Sequence, residues 1–209
     1  IIQAELKDLR IIIHAPFINL SLAGHREVNN ASVDILQKVY DIGVRLNAEV
    51  FTIHAGSGSF FQSEAETAEL LVASLGRLKT VDSLACTLEN MPVSKRATSA
   101  SLVDSLVKLD KVLNLLPKLG ITLDIGHVIQ NKEGDWQSWL KNNKEKIYNI
   151  HLHGAELGGK AHFSLDNGDL DCSDFIKLVV SEGYSKFVTQ EVVGSEEILH
   201  SWQFLQSIM

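Results

Sequence analysis

The chain has 209 residues, 45% of them hydrophobic and 22% charged, with a formal net charge of −7. That length suits a single domain, and the acidic balance supplies no basic field of the kind a phosphate backbone requires. Cys86 and Cys172 are too few for a disulfide framework, and no apolar run approaches the ~18 residues of a membrane span or forms a signal peptide, so a cytoplasmic protein without membrane contact is expected.

The first apolar run, from Arg10 through Ile13, ends on His14. A helix is read over Val33 to Leu46, and the run from Val50 to Ile53 then ends on His54. Gly56-Ser57-Gly58-Ser59 follows; without the lysine of a phosphate-binding loop, it reads as a flexible loop. Ser63 and Glu66 make a capping box ahead of Ala68, Leu71, Val72, Leu75 and Leu78, which recur at helical spacing. The run from Ala85 ends on Glu89. Leu102, Leu106, Leu109, Leu113 and Leu116 mark a helix stopped by Pro117 and Gly120. Strands then end on Asp124, on His151 and on Glu191, separated by helices over Asp135 to Lys146 and Ser173 to Glu182. Ser195 to Ile208 closes the chain as a helix.

Every apolar strand therefore ends on a group able to bind a metal or move a proton. These groups are 40, 35, 35, 27 and 40 positions apart, a spacing natural for βα units. Strands apolar on both faces and alternating with helices give an α/β fold with a parallel sheet and right-handed crossovers. In a (β/α) barrel the strand ends on which these residues fall form the active site.

Glu89, Asp124, His151 and Glu191 offer three carboxylates and one imidazole, a donor set suited to a divalent Mn, Mg, Co or Zn ion. Buried carboxylates are too costly to cluster without a cation. His14 and His54 could hold a second ion, with Glu89 as the bridge. His127, three residues after Asp124, and His162 reach toward a third position.

The segments His14-Ala15-Pro16-Phe17-Ile18-Asn19-Leu20, His54-Ala55-Gly56-Ser57, Leu88-Glu89-Asn90-Met91, Leu123-Asp124-Ile125-Gly126-His127, His151-Leu152-His153-Gly154 and Gln190-Glu191-Val192 follow one another almost along the whole chain. As an ordered set they resemble the xylose isomerase-like TIM-barrel superfamily, which holds sugar and sugar-phosphate isomerases and epimerases together with endonuclease IV. The resemblance implies a (β/α)8 TIM barrel with His14 on the third strand and Glu191 on the eighth. With a chain that opens on Ile1, it implies an N-terminally truncated domain spanning 1–209, of six βα units, lacking about 50–70 residues at typical unit lengths. The strands ending on His14 and Glu191 are then expected to be open edges that invite pairing with another copy.

The isomerase and epimerase branch implies one ion on Glu89, Asp124, His151 and Glu191, with Glu89 and Glu191 also passing protons through an enediolate. The endonuclease IV branch implies a zinc cluster that adds His14, His54, His127 and His162, for phosphodiester hydrolysis at abasic sites in DNA. That branch has an aspartate two residues before the loop histidine, where this chain has Lys160. The lost ligand and the acidic charge turn the expectation toward a small sugar or sugar phosphate and away from nucleic acid. A non-catalytic metal- or ligand-binding barrel is a third reading, since fold alone does not prove turnover. Lys160, His153 and Phe17 are candidate substrate contacts, and Phe60 and Phe61 candidate pocket linings. Trp136 and Trp139 read as helix packing, while His25 and His200 receive no role.

Overall fold

A computed structural model of the chain describes residues 8–59, 62–93 and 99–208; Phe60 and Phe61 lie outside them. In chain order the elements are β1 (Ile12–His14), α1 (Arg26–Arg45), β2 (Val50–Ile53), β3 (Ser57–Ser59), α2 (Glu64–Leu75), β4 (Ala85–Glu89), β5 (Ser99–Ser101), α3 (Leu106–Leu115), β6 (Gly120–Asp124), α4 (Ile125–Gln130), α5 (Trp136–Asn143), β7 (Ile147–Leu152), β8 (Gly154–Ala155), β9 (Ala161–Phe163), α6 (Cys172–Ser181), β10 (Phe187–Gln190) and α7 (Ser195–Ile208). All six strands expected from the apolar runs are present, and the fold is α/β with parallel βα repeats.

The length suggests one domain, and contacts within the chain cluster into two compact units. In the first, β1, β2 and β4 run parallel, with Ile12 opposite Val50 and Val50 opposite Ala85. In the second, β6, β7 and β10 run parallel, with Ile121 opposite Ile147 and Phe187 opposite Asn149. Every residue of β2 and β6 is buried, as their unbroken apolar character requires of strands covered on both faces. Among the described residues, β1 pairs within its unit with β2 alone, and β10 within its unit with β7 alone.

Helix α1 begins seven residues before its apolar periodicity. Its first turns are held by polar groups instead: Asn29 Oδ1 accepts the Gly24 N–H at 2.8 Å, and Ser32 Oγ accepts the Ser21 N–H at 3.0 Å. Farther along, Val33, Leu36 and Tyr40 bury the inner face. Helix α2 starts as its sequence announces. Ser63 Oγ accepts the Glu66 N–H at 3.2 Å, and Glu66 Oε2 accepts the Ser63 N–H at 2.9 Å. Such reciprocal bonds satisfy two donors that the helix start leaves orphaned.

Two small antiparallel strand pairs depart from the expectation. The segment read as a flexible loop is strand β3, paired antiparallel with β5, and β8 pairs antiparallel with β9. Both are too short for a periodic signal. Gly56 enters the first of them at φ 84°, where a Cβ would stand 2.8 Å from the Leu20 carbonyl oxygen, so only glycine fits. Cys172, read as a loop residue, opens α6 behind its cap Asp171, whose Oδ1 accepts the Asp174 N–H at 2.9 Å. Both cysteines are buried and free, and burial pushes each thiol up to about 12, which leaves no nucleophilic thiolate near neutral pH. Trp136 of α5 packs against Phe175 of α6 at 5.8 Å between ring centroids.

Tyr40 ties α1 to the segment before β4. Its wholly buried hydroxyl donates to the Leu84 carbonyl at 2.8 Å and accepts the Val81 N–H at 3.1 Å. Removing it leaves both backbone groups short of a partner, which costs about 1–3 kcal/mol. Tyr40→Phe is therefore expected to lower the urea midpoint by an equivalent amount with an unchanged slope, as read by circular dichroism.

Candidate metal centres at the strand ends

In the first unit, the ends of β1, β2 and β4 bring His14, His54 and Glu89 together. His14 Nδ1 lies 2.8 Å from the Ala15 carbonyl oxygen; a carbonyl only accepts, so the proton sits on Nδ1 and Nε2 presents a lone pair. That Nε2 is 3.1 Å from His54 Nε2 and 3.5 Å from Glu89 Oε2, while His54 Nε2 is 3.0 Å from the same oxygen. Glu89 is 1% exposed. Two imidazole nitrogens and a buried carboxylate oxygen crowded this closely form a set competent to hold a cation. Phe17 covers it from one side, its ring 5.5 Å from His14 and 4.7 Å from His54.

The second unit carries a denser arrangement built on Asp124, which ends β6 and caps α4. Its carboxylate is completely buried. Oδ1 accepts the His127 N–H at 2.7 Å, and both oxygens lie 3.1 Å from His153 Nε2. Asn90 fixes the backbone: its amide donates to the Asp124 carbonyl and its Oδ1 accepts the Asp124 N–H, each at 2.8 Å. One residue past β10, Glu191 continues the ladder through its N–H to the Leu152 carbonyl at 3.0 Å. Its Oε2 then reaches His151 Nδ1 at 2.9 Å, and that nitrogen is 3.9 Å from Asp124 Oδ2. One ligand atom each of Asp124, His151 and Glu191 thus lie within 4.8 Å of one another. Glu191 Oε2 is buried, and its 2.9 Å approach to His151 Nδ1 is a close contact without hydrogen-bond alignment.

Beside these ligands stand His127, His153 and His162. His127 Nδ1 faces the Asn90 carbonyl at 2.9 Å and His162 Nδ1 the Glu191 carbonyl at 3.0 Å. Each carbonyl holds a proton on Nδ1 and leaves Nε2 as an acceptor or ligand, the tautomer control familiar around metal-binding histidines. His162 has φ 65°, a strained conformation for a non-glycine residue. His153, read from sequence as a candidate substrate contact, is 0% exposed. Burial is the largest single influence and opposes its charged form, but the hydrogen bond to Asp124, the charges of Asp124 and Glu191 and the Gly154 carbonyl together outweigh it and raise its pKa above the ordinary histidine value. Lys160 is exposed in the turn between β8 and β9, where the Glu156 N–H donates to its carbonyl at 2.8 Å.

Sequence reasoning assigned no role to Asn90 or Gly126. An amide side chain directly after a strand-terminal glutamate is the signal that could have found Asn90, since once buried it must find partners off the ladder. His200, without a role in the sequence reading, pairs with Asp166 at 2.8 Å on the surface. Among the described residues, no helix is long and apolar enough to cross a membrane.

The family description for the xylose isomerase-like TIM barrel matches residues 2–208, and the chain belongs to that family. An uncharacterized protein of Methanocaldococcus jannaschii is 27% identical over 178 residues, covering 83% of this chain and 67% of that protein. Among solved structures, a D-tagatose 3-epimerase-like protein superposes with a TM-score of 0.85 at 21% identity, over 99% of this chain and 80% of that one. An AP endonuclease of family 2 from Brucella melitensis superposes with a TM-score of 0.75 at 16% identity, over 98% and 82%.

Gly126 shows how tightly the second arrangement is packed, because a Cβ there would overlap the His153 ring. A fully buried ring has no room to withdraw. Gly126→Ala is expected to destabilise the fold by about 1–3 kcal/mol through overpacking, measured by urea denaturation. An alanine variant as stable as the parent would show that the ring has freedom to move.

Proposed function

We propose that the chain is a divalent-metal-dependent isomerase or epimerase of a small sugar or sugar phosphate, with Glu89, Asp124, His151 and Glu191 as ligands of one ion. The observation that carries this reading is the gathering of Asp124 and Glu191 on one imidazole, His151 Nδ1 standing 3.9 Å from Asp124 Oδ2 and 2.9 Å from Glu191 Oε2. Two carboxylates held so close repel each other unless a cation lies between them. Glu89 adds a third carboxylate from another strand end, and such an oxygen-rich set with one nitrogen suits Mn, Mg, Co or Zn. The likeness in fold to a D-tagatose 3-epimerase-like protein supports the same reading.

When bound, a divalent ion supplies Lewis-acid chemistry, drawing electron density toward a substrate carbonyl. Glu89 and Glu191 handle the proton. One carboxylate takes the hydrogen from the carbon beside the carbonyl as a proton, and the electron pair of that bond moves toward the carbonyl oxygen. The other carboxylate returns a proton to carbon, giving an epimer or an isomer with no net redox change. Asp124, buried and multiply hydrogen-bonded, is unsuited to proton transfer and serves as a fixed ligand. His127 and His162, with Nε2 as acceptors, take substrate hydroxyl protons as hydrogen-bond partners. Lys160 attracts an anionic group such as a sugar phosphate.

A second reading, zinc-dependent phosphodiester hydrolysis, has one observation in its favour: His14, His54 and Glu89 already form a separate cation-competent trio. It requires two or more ions per chain and activity on abasic-site DNA, whereas the isomerase reading requires one ion.

The test is deuterium exchange from heavy water into ketoses and ketose phosphates. The parent chain is expected to exchange the hydrogen beside the carbonyl, and Glu89→Gln and Glu191→Gln to abolish that exchange. Lys160→Ala should raise KM for phosphorylated substrates with kcat retained, the pattern of lost uniform binding. Cleavage of abasic-site DNA without exchange on any sugar would contradict the proposal.

A further inference from the structure

We propose that His153 is the positioning residue of Asp124. The argument starts from hydrogen-bond direction. A backbone N–H can only donate, and the His162 N–H points at His153 Nδ1 at 3.1 Å. The Asp124 oxygens only accept, so His153 Nε2 carries a proton, and in the neutral ring Nδ1 is the acceptor of the His162 N–H. That Nε2 lies 3.1 Å from each oxygen of Asp124, so the proton is donated to the carboxylate. The same Nδ1 is 3.2 Å from the Gly154 carbonyl oxygen, a contact that would attract the other tautomer but offers the ring no route to Asp124.

The chain of donors thus runs from the His162 backbone through the His153 ring to Asp124. It is locked by packing, because the ring is wholly buried and lies against Gly126, where any side chain would overlap it. Asp124 Oδ1 is fixed independently by the His127 N–H. Together the two donors set the rotation of the carboxylate, and the Oδ2 edge is the one that faces His151 Nδ1. Removing the His153 donor leaves the carboxylate free to turn away from His151. Partners of this kind commonly change metal affinity by ~10–100-fold when lost.

The tautomer assignment stands on this geometry alone; the affinity arm rests on the metal reading above. Histidine-selective nitrogen NMR of the intact, chelator-treated chain is expected to show His153 protonated on Nε2. Asp124→Asn is expected to shift those resonances and speed exchange of the Nε2 proton. Titration with Mn2+ alone, followed calorimetrically, is expected to show His153→Phe weakened by ~10–100-fold, with His153→Gln restored toward the parent because its amide can donate to Asp124. An Nε2 without a proton, ring resonances indifferent to Asp124→Asn, or parent-like Mn2+ affinity in His153→Phe would each overturn the proposal. If the parent takes up no Mn2+ while the Asp124 dependence of the ring is present, the positioning role stands and the metal reading fails.

Discussion

A fully buried carboxylate must be surrounded by donors or neutralised, and Asp124 is where this chain meets that demand. Its position at the junction of β6 and α4 lets one residue do two jobs. The side chain caps the helix through the His127 N–H, while the backbone on either side of Cα is clasped by Asn90. The His127 ring is in turn anchored on the Asn90 carbonyl. Charge, helix start and imidazole orientation are therefore coupled through hydrogen bonds within one unit, and a change in any of them reaches the others.

The strand ends repeat this economy. Parallel strands with buried faces have little freedom in register, so the residue at each C-terminal end is delivered to a fixed place by the apolar run before it. His14, His54 and Glu89 are brought together in this way, and so are Asp124, His151 and Glu191. Interior polar groups extend the pattern down the strands: Thr87 Oγ1 donates to the Phe51 carbonyl at 3.3 Å, and Thr189 Oγ1 to Asn149 Oδ1 at 2.9 Å. Such bonds accommodate polar side chains in strands that are otherwise apolar.

Most of this was legible in the sequence because the physics is local. The six apolar runs, the Ser63 capping box and the histidines and carboxylates closing each run are features of neighbouring residues, and they identify strands, helix and candidate ligands directly. What was not legible depends on partners far along the chain. The start of α1 is held by Asn29 and Ser32 bonding to the preceding loop. The pairing of β3 with β5 joins segments about forty residues apart. The bonds of His153 were not legible because its partners, Asp124 and the backbone of His162, lie 29 and 9 positions away. Alternation along β7 could place its side chain on a face but could not show that a glycine opposite makes room for its ring.

The central claim is that these strand-end residues serve a single metal-dependent proton-transfer site. It is tested most directly by anomalous diffraction from crystals of the chain grown with Mn2+ and a ketose. The account predicts one strong manganese peak bounded by Glu89, Asp124, His151 and Glu191, with the sugar carbonyl in its coordination shell. Manganese held only by His14 and His54, or an ion cluster with no sugar bound to it, would contradict the account.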